Sequence, residues 1–164
     1  MVECTSGVEG RPIEPGRVEL PRGHFTARLN PAAVRDIAAV RANIENGAEQ
    51  LVDVRSRGRF LGIEPEPRPG LRGGHVPGSR NLPFTELVGV DGTMLPAEEL
   101  RRRIEGAGID LDCPVVTTCG SGTSACALVL ALHLLGRQAA VYDGAWTEWG
   151  GRPDTPVESS SAPA

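Results

Sequence analysis

Cys119 opens a run of small residues, Gly120-Ser121-Gly122-Thr123-Ser124. One nucleophilic side chain is thereby set among backbone amides and hydroxyls. The thiolate is the nucleophilic form of cysteine, and nearby amide donors or a helix N-terminus favour it. Glycines at 120 and 122 let the backbone curl with its N–H groups inward, and Ser121, Thr123 and Ser124 add hydroxyl groups. This set suits covalent catalysis through an anionic sulfur species. Phosphate-ester chemistry on a cysteine loop calls for an arginine six residues after the cysteine to hold the phosphoryl oxygens. That position is Ala125, which argues against phosphoryl transfer.

The elements that must position the loop follow from the flanking sequence. Val115-Val116-Thr117-Thr118 reads as a strand, and the apolar run from Ala125 to Leu135 reads as a helix over about 124–135, ended by Gly136. The thiol therefore sits at the C-terminal end of a strand, facing a helix N-terminus. Leu51 to Val54 and Ala139 to Tyr142 read as further strands, and Ala145 to Trp149 as a short helix or turn. Asn30 and Pro31 offer an N-cap and a first-turn proline for a helix carrying Val34, Ile37, Ala38, Arg41 and Ile44, which Asn46-Gly47 ends. Pro96 opens another helix. Glu98 and Glu99 at its start and Arg101 to Arg103 further on complement its dipole, and the three arginines read as a solvated face. Leu82 to Phe84 is expected as a short strand or extended connection, and Glu86 to Val88 as a helical turn. From Arg55 to Arg80 the chain reads as loop, with four prolines and six glycines across residues 58–78. So long an irregular segment points to function. Strands alternating with helices predict an α/β fold with a central parallel sheet flanked by helices on both faces.

The 164 residues suit one domain. Residues 1–29 read as a tail or interdomain-type linker, 30–152 as the catalytic domain and 153–164 as a flexible tail. With 40% hydrophobic but only 4% aromatic residues, the core must be mainly aliphatic. The formal net charge of −4 gives no drive toward nucleic acid. No apolar run is long enough to span a membrane and no leader pattern is visible, so a soluble, cytoplasmic protein is expected. Cys4, Cys113, Cys119 and Cys126 form no C-x-x-C pair, so neither a metal site nor a disulfide framework is expected. Cys126 reads as a small helix hydrophobe and His133 as a core or interface histidine.

Five segments together resemble the rhodanese-like sulfurtransferases, and within them the catalytic C-terminal half of the 3-mercaptopyruvate sulfurtransferases. They are Leu51-Val52-Asp53-Val54-Arg55; Gly58-Arg59-Phe60 with Gly62 and Glu64-Pro65-Glu66-Pro67-Arg68; Gly74-His75-Val76-Pro77-Gly78-Ser79 with Asn81; Cys119-Gly120-Ser121-Gly122; and Tyr142-Asp143-Gly144-Ala145-Trp146 with Glu148-Trp149. The resemblance implies a rhodanese-like fold and a Cys119 persulfide formed from a small-molecule sulfur donor and passed to a thiol, a thioredoxin-like protein or cyanide, without a cofactor. It implies that Arg59 and Arg68 bind the substrate carboxylate and that Ser121 relays a proton. Gly120, Gly122, Thr123 and Ser124 would form the substrate cradle, although the family commonly has Val-Thr at the last two positions. Thiosulfate-preferring relatives carry charged residues just after the cysteine. Gly120 and Ser121 instead favour a carboxylate donor over thiosulfate, which stands as the alternative. Relatives of this type commonly have two tandem domains, the N-terminal one supplying an acidic residue and a histidine. An N-terminal rhodanese-like partner domain, or a non-catalytic sulfur-carrier role, is therefore a further expectation. His75 would fix its turn, Asp53 would hold loops near the site, and Trp146 and Trp149 would be packing anchors.

Overall fold

The computed structural model describes residues 21–159; the expectations for 1–20, including Cys4, and for 160–164 lie outside them. Along the chain run β1 (Val34–Arg35), α1 (Ile37–Asn46), β2 (Gln50–Asp53), α2 (Arg57–Leu61), β3 (Arg80–Asn81), α3 (Ala97–Gly106), β4 (Val115–Thr118), α4 (Ala125–Leu134), β5 (Ala139–Tyr142) and α5 (Ala145–Trp149). All strand pairs are parallel, in the order β1-β5-β4-β2-β3.

Alternation along the central strands divides the core between two faces. Val52 and Val115 turn toward α3 and α4, where they pack with Leu100, Ile104, Leu128 and Leu132. Leu51, Val116 and Ala140 turn the other way, toward Val40 of α1 and Trp146 and Trp149 of α5. Burial on both faces requires the apolar strands that the sequence supplies. The expected architecture is present, and the two tryptophans are packing anchors: Trp146 is 2% exposed and Trp149 not at all.

Several element boundaries differ from the sequence reading. The Asn30 side chain does cap a turn, accepting from the Ala32 amide, but that turn is a 3₁₀ turn over Pro31–Ala33. Val34 then pairs with Val141 at the sheet edge, and α1 begins only after Asp36, whose carboxylate accepts the Ala39 N–H at 2.9 Å. Edge pairing by a β-branched residue and a second, better-placed cap together override the proline signal. The segment 55–80 contains α2, capped by Ser56 and closed by Gly62 in the left-handed conformation; five residues are too few to show a helical period. The expected strand or connection at 82–84 lies instead at Arg80–Asn81, and a 3₁₀ turn covers Phe84–Leu87.

The tail expectation fails for 153–159. Arg72 donates to the carbonyls of Trp149, Gly150, Arg152 and Thr155, Trp149 Nε1 donates to Pro156 O at 2.8 Å, and His75 and Glu158 exchange both backbone hydrogen bonds. Thr155 is buried. A segment that satisfies an arginine and an indole this way is part of the fold. Among the described residues no helix is long and apolar enough to cross a membrane.

Candidate active site

The C-terminal ends of β2 and β4 bring the chemistry together. Cys119 follows β4 directly and is fully buried, and its Sγ accepts the Gly122 N–H at 3.2 Å. That amide is aimed by a backbone turn only glycine takes easily: Gly122 has φ +88°, and a Cβ there would stand 3.2 Å from the Asp143 carbonyl oxygen. The loop is clamped from the other side by α5. Trp146 N–H donates to Cys119 O at 2.9 Å, and Thr147 donates to Gly120 O through its N–H at 2.9 Å and its hydroxyl at 2.6 Å. To present these groups the chain puts Ala145 at φ +53°, a left-handed conformation costing about 1 kcal/mol or more for a residue with a Cβ.

Arg59 comes from α2 and lies against Gly120, where an added Cβ would meet Nη2 at 2.9 Å. Its guanidinium is held by Glu66, with Nη2 to Oε2 at 2.5 Å and Nε to Oε1 at 3.3 Å. Glu66 also takes Arg55 Nη1 at 2.6 Å, and Arg55 forks onto Asp53 through Nε and Nη2. Asp53, Arg55 and Glu66 are almost completely buried. Arg55 also lies 4.3 Å over the Trp146 ring, a favourable place for a buried cation. Asp53 thus supports the loops, as expected, through Arg55. Arg68 reaches the loop from the opposite wall, its Nη1 donating to Thr147 Oγ1 at 3.1 Å.

A cleft of about 180 Å³ is lined by Arg59, Glu66 and Arg68 together with Gly120, Ser121, Ser124 and Thr147. Among the side chains named here, three guanidiniums face two carboxylates, leaving one positive charge for an anionic ligand. Of the predicted residues, Arg59, Arg68, Gly120, Ser121 and Ser124 line the cleft, and Gly122 acts behind it through its amide. Thr123 is exposed and does not line it. Cys119 itself is buried one residue behind Gly120 rather than open to the cleft. Glu66, Arg55 and Thr147 were not singled out from sequence. Glu66 had a signal, an acid between prolines in a segment rich in arginine; Thr147 had none beyond its place in the closing segment.

Other candidates resolve as structural or stand elsewhere. His75 Nδ1 lies 2.7 Å from Phe60 O, and the two rings stack at 3.7 Å, fixing the turn as expected. Tyr142 donates to Glu148 Oε2 at 2.7 Å. Burial, and then the Glu148 carboxylate, push its phenol well above the usual range, so it acts as a protonated strut beneath α5. His133 and Cys126 are exposed rather than buried in the core; both line a groove of about 560 Å³ between α4 and the β1 edge. Among the described residues no group of three or more His, Cys, Asp or Glu side chains converges to hold a metal ion.

A parallel α/β domain with a cysteine at a strand end, an amide aimed at its sulfur and arginines around the adjoining cleft defines a class of cysteine-dependent group-transfer domains. The rhodanese-like domain model matches residues 36–152. The chain belongs to the rhodanese family. It is 44% identical over 147 residues to the 3-mercaptopyruvate sulfurtransferase of Escherichia coli strain K12, covering 89% of this chain and 52% of that one. It is also 44% identical over 136 residues to the mitochondrial thiosulfate/3-mercaptopyruvate sulfurtransferase 1 of Arabidopsis thaliana, covering 82% and 36%. The crystal structure of SseA from Escherichia coli, described as a 3-mercaptopyruvate sulfotransferase, superposes with a TM-score of 0.69 at 40% identity over 81% of this chain and 49% of that one. The chain thus spans about half the length, or less, of these relatives.

Proposed function

We propose that the domain transfers sulfur from 3-mercaptopyruvate to a thiol or cyanide through a persulfide on Cys119. The observation that carries this reading is the placing of Arg59 and Arg68 around one small cleft beside the cysteine loop. The substrate carboxylate meets the two guanidiniums, whose planar forks suit it. The Cys119 thiolate attacks the substrate sulfur, the S–S bond forms, and the C–S bond breaks toward carbon. Pyruvate leaves as its enolate and takes up a proton, for which the Ser121 hydroxyl in the cleft is the relay. An acceptor thiolate or cyanide then attacks the outer sulfur and returns Cys119 as a thiolate. The Gly122 amide stabilises the anionic sulfur at the start and end of the cycle. Gly120 and Ser124 complete the cradle. Thr123 lies outside it and serves the start of α4, its carbonyl accepting the Cys126 N–H.

With Cys119 as the thiolate, the three guanidiniums are balanced by two carboxylates and the sulfur, so a monocarboxylate meets less repulsion than the dianion thiosulfate. Mass spectrometry of the chain after incubation with mercaptopyruvate tests the reading: a gain of one sulfur on the Cys119 peptide is expected, and its absence overturns the enzyme assignment. Faster loading from thiosulfate would move the assignment to that donor. A second reading is a non-catalytic sulfur carrier that works with an N-terminal rhodanese-like domain; in its favour, Cys119 is fully buried and does not open to the cleft. Loading without turnover until such a domain is added would support it. On either reading the functional unit is the domain that begins at residue 30 and includes the packed segment through residue 159. The free thiols at Cys113, Cys119 and Cys126 suit a reducing compartment, and cell fractionation tests our assignment of the cytoplasm.

A further inference from the structure

We propose that Thr147 is a positioning residue that seats Arg68 against the cysteine loop and so sets how tightly the cleft grips a carboxylate-bearing sulfur donor; this rests on the reading above. The two cleft arginines are held in different ways. Arg59 is braced by the buried Glu66 carboxylate. Arg68 stands between two prolines on an exposed segment and, among the described residues, makes no ion pair; its side chain is fixed by the Thr147 hydroxyl at 3.1 Å.

The polarity of that hydroxyl is determined by its other partner. A threonine hydroxyl has one proton, and Thr147 gives it to Gly120 O at 2.6 Å. Its lone pairs are therefore what it offers to the cleft. They attract a guanidinium and repel a carboxylate, so Thr147 acts on an anionic substrate through Arg68 rather than by touching it. Among the described residues, only one of Arg68's five N–H groups is used, through Nη1. The Nε–Nη2 edge remains available for a two-pronged grip on a carboxylate. The relay Arg68 to Thr147 to Gly120 also ties that grip to the residue next to the nucleophile.

Removing the hydroxyl should leave the fold intact, because Gly120 O keeps the Thr147 N–H at 2.9 Å. The test uses the full chain and its Thr147→Val, Thr147→Ser, Arg68→Ala and Thr147→Val/Arg68→Ala variants. Pyruvate binding is read by calorimetry, and Cys119 persulfide formation by mass spectrometry against mercaptopyruvate concentration. Thr147→Val is expected to weaken pyruvate binding and raise the half-saturating donor concentration by roughly tenfold. The rate at saturation should fall by less than about threefold, the mark of lost uniform binding. Thr147→Ser should restore tight binding, and Thr147→Val should add little to Arg68→Ala. Thr147→Val binding like the parent, or losses that add in the double variant, would overturn the proposal. If the parent gains no sulfur yet binds pyruvate in a Thr147-dependent way, the sulfurtransferase reading falls and this one stands. If it gains sulfur and Thr147→Val behaves like the parent, the reverse holds. If it neither binds nor loads, both fall.

Discussion

Cys119 and Cys126 stand on either side of Gly122 and meet its two different backbone polar groups. Gly122 N–H points at Cys119 Sγ, whereas Gly122 C=O accepts from Cys126 Sγ at 3.8 Å. An amide hydrogen suits a sulfur that carries charge; a carbonyl oxygen suits one that keeps its proton. The hollows beside them differ as much. Next to Cys119 is the smaller, where the buried Glu66 carboxylate holds one of its two arginines, Arg59. Next to Cys126 is the larger, where a helix crosses an edge strand and Arg35 and Glu49, among the described residues, form ion pairs only with each other. Chemical capacity here follows converging loops and fixed dipoles, while volume follows the gap left by packing a helix near a sheet edge.

The contrast is broken most directly by exchanging the thiols. Cys119→Ser should lower sulfur loading by roughly 10⁴-fold or more, while Cys126→Ala should load like the parent; mass spectrometry of the peptides separates the two. Next come the charges. Glu66→Ala takes from the buried Arg55 one of its two carboxylate partners and releases Arg59, and should cost about 2–3 kcal/mol, whereas Glu49→Gln beside the larger groove should cost about 1 kcal/mol or less. Urea denaturation measures both, and equal losses would mean that the cleft's ion network is no more critical than a half-exposed pair. Gly122→Ala forces a Cβ into the left-handed region at a cost of about 1–2 kcal/mol and turns the amide from the sulfur. Loading should slow by roughly 10²-fold, read by quenched mass spectrometry. The smallest effect is expected far from both hollows. Arg152, and then Arg41, hold the Asp154 carboxyl below the ordinary value of 3.8. Asp154 is therefore ionised in the folded chain at a pH where the unfolded chain has begun to protonate it. Its contribution is complete above the unfolded value and is lost as pH falls below it toward the folded one. Asp154→Asn should differ slightly from the parent in denaturation midpoint at pH 7, and the difference should vanish in strong acid.

The sequence was most legible where one residue's type fixed its surroundings. Val115 to Thr118, the small-residue loop and the apolar stretch after it form the strand, turn and helix that their patterns require, because period and punctuation are local properties. It was least legible where a partner lay far along the chain. Val34 looked helical until Val141 was beside it. The segment after Arg152 looked loose until Arg72, some eighty residues earlier, collected its carbonyls. Cys126 read as a small helix hydrophobe and His133 as a core or interface residue because α4 is apolar nearly all round, and hydropathy without a clear stripe cannot say which side faces the sheet.

The same division runs through the site. By itself, the order of side chains determined that a cysteine would end a parallel strand in a glycine-bearing loop before a helix; that Arg59 and Arg68 would be its companions came only from the family resemblance. Tertiary structure alone decided how those companions are held: Arg59 by a carboxylate shared with Arg55, Arg68 by a hydroxyl from α5. Nucleophile and loop type depend on neighbours in sequence, whereas the aim of a long charged side chain depends on what stands within about 3 Å of its end. In this chain, only folding brings Thr147 to Arg68.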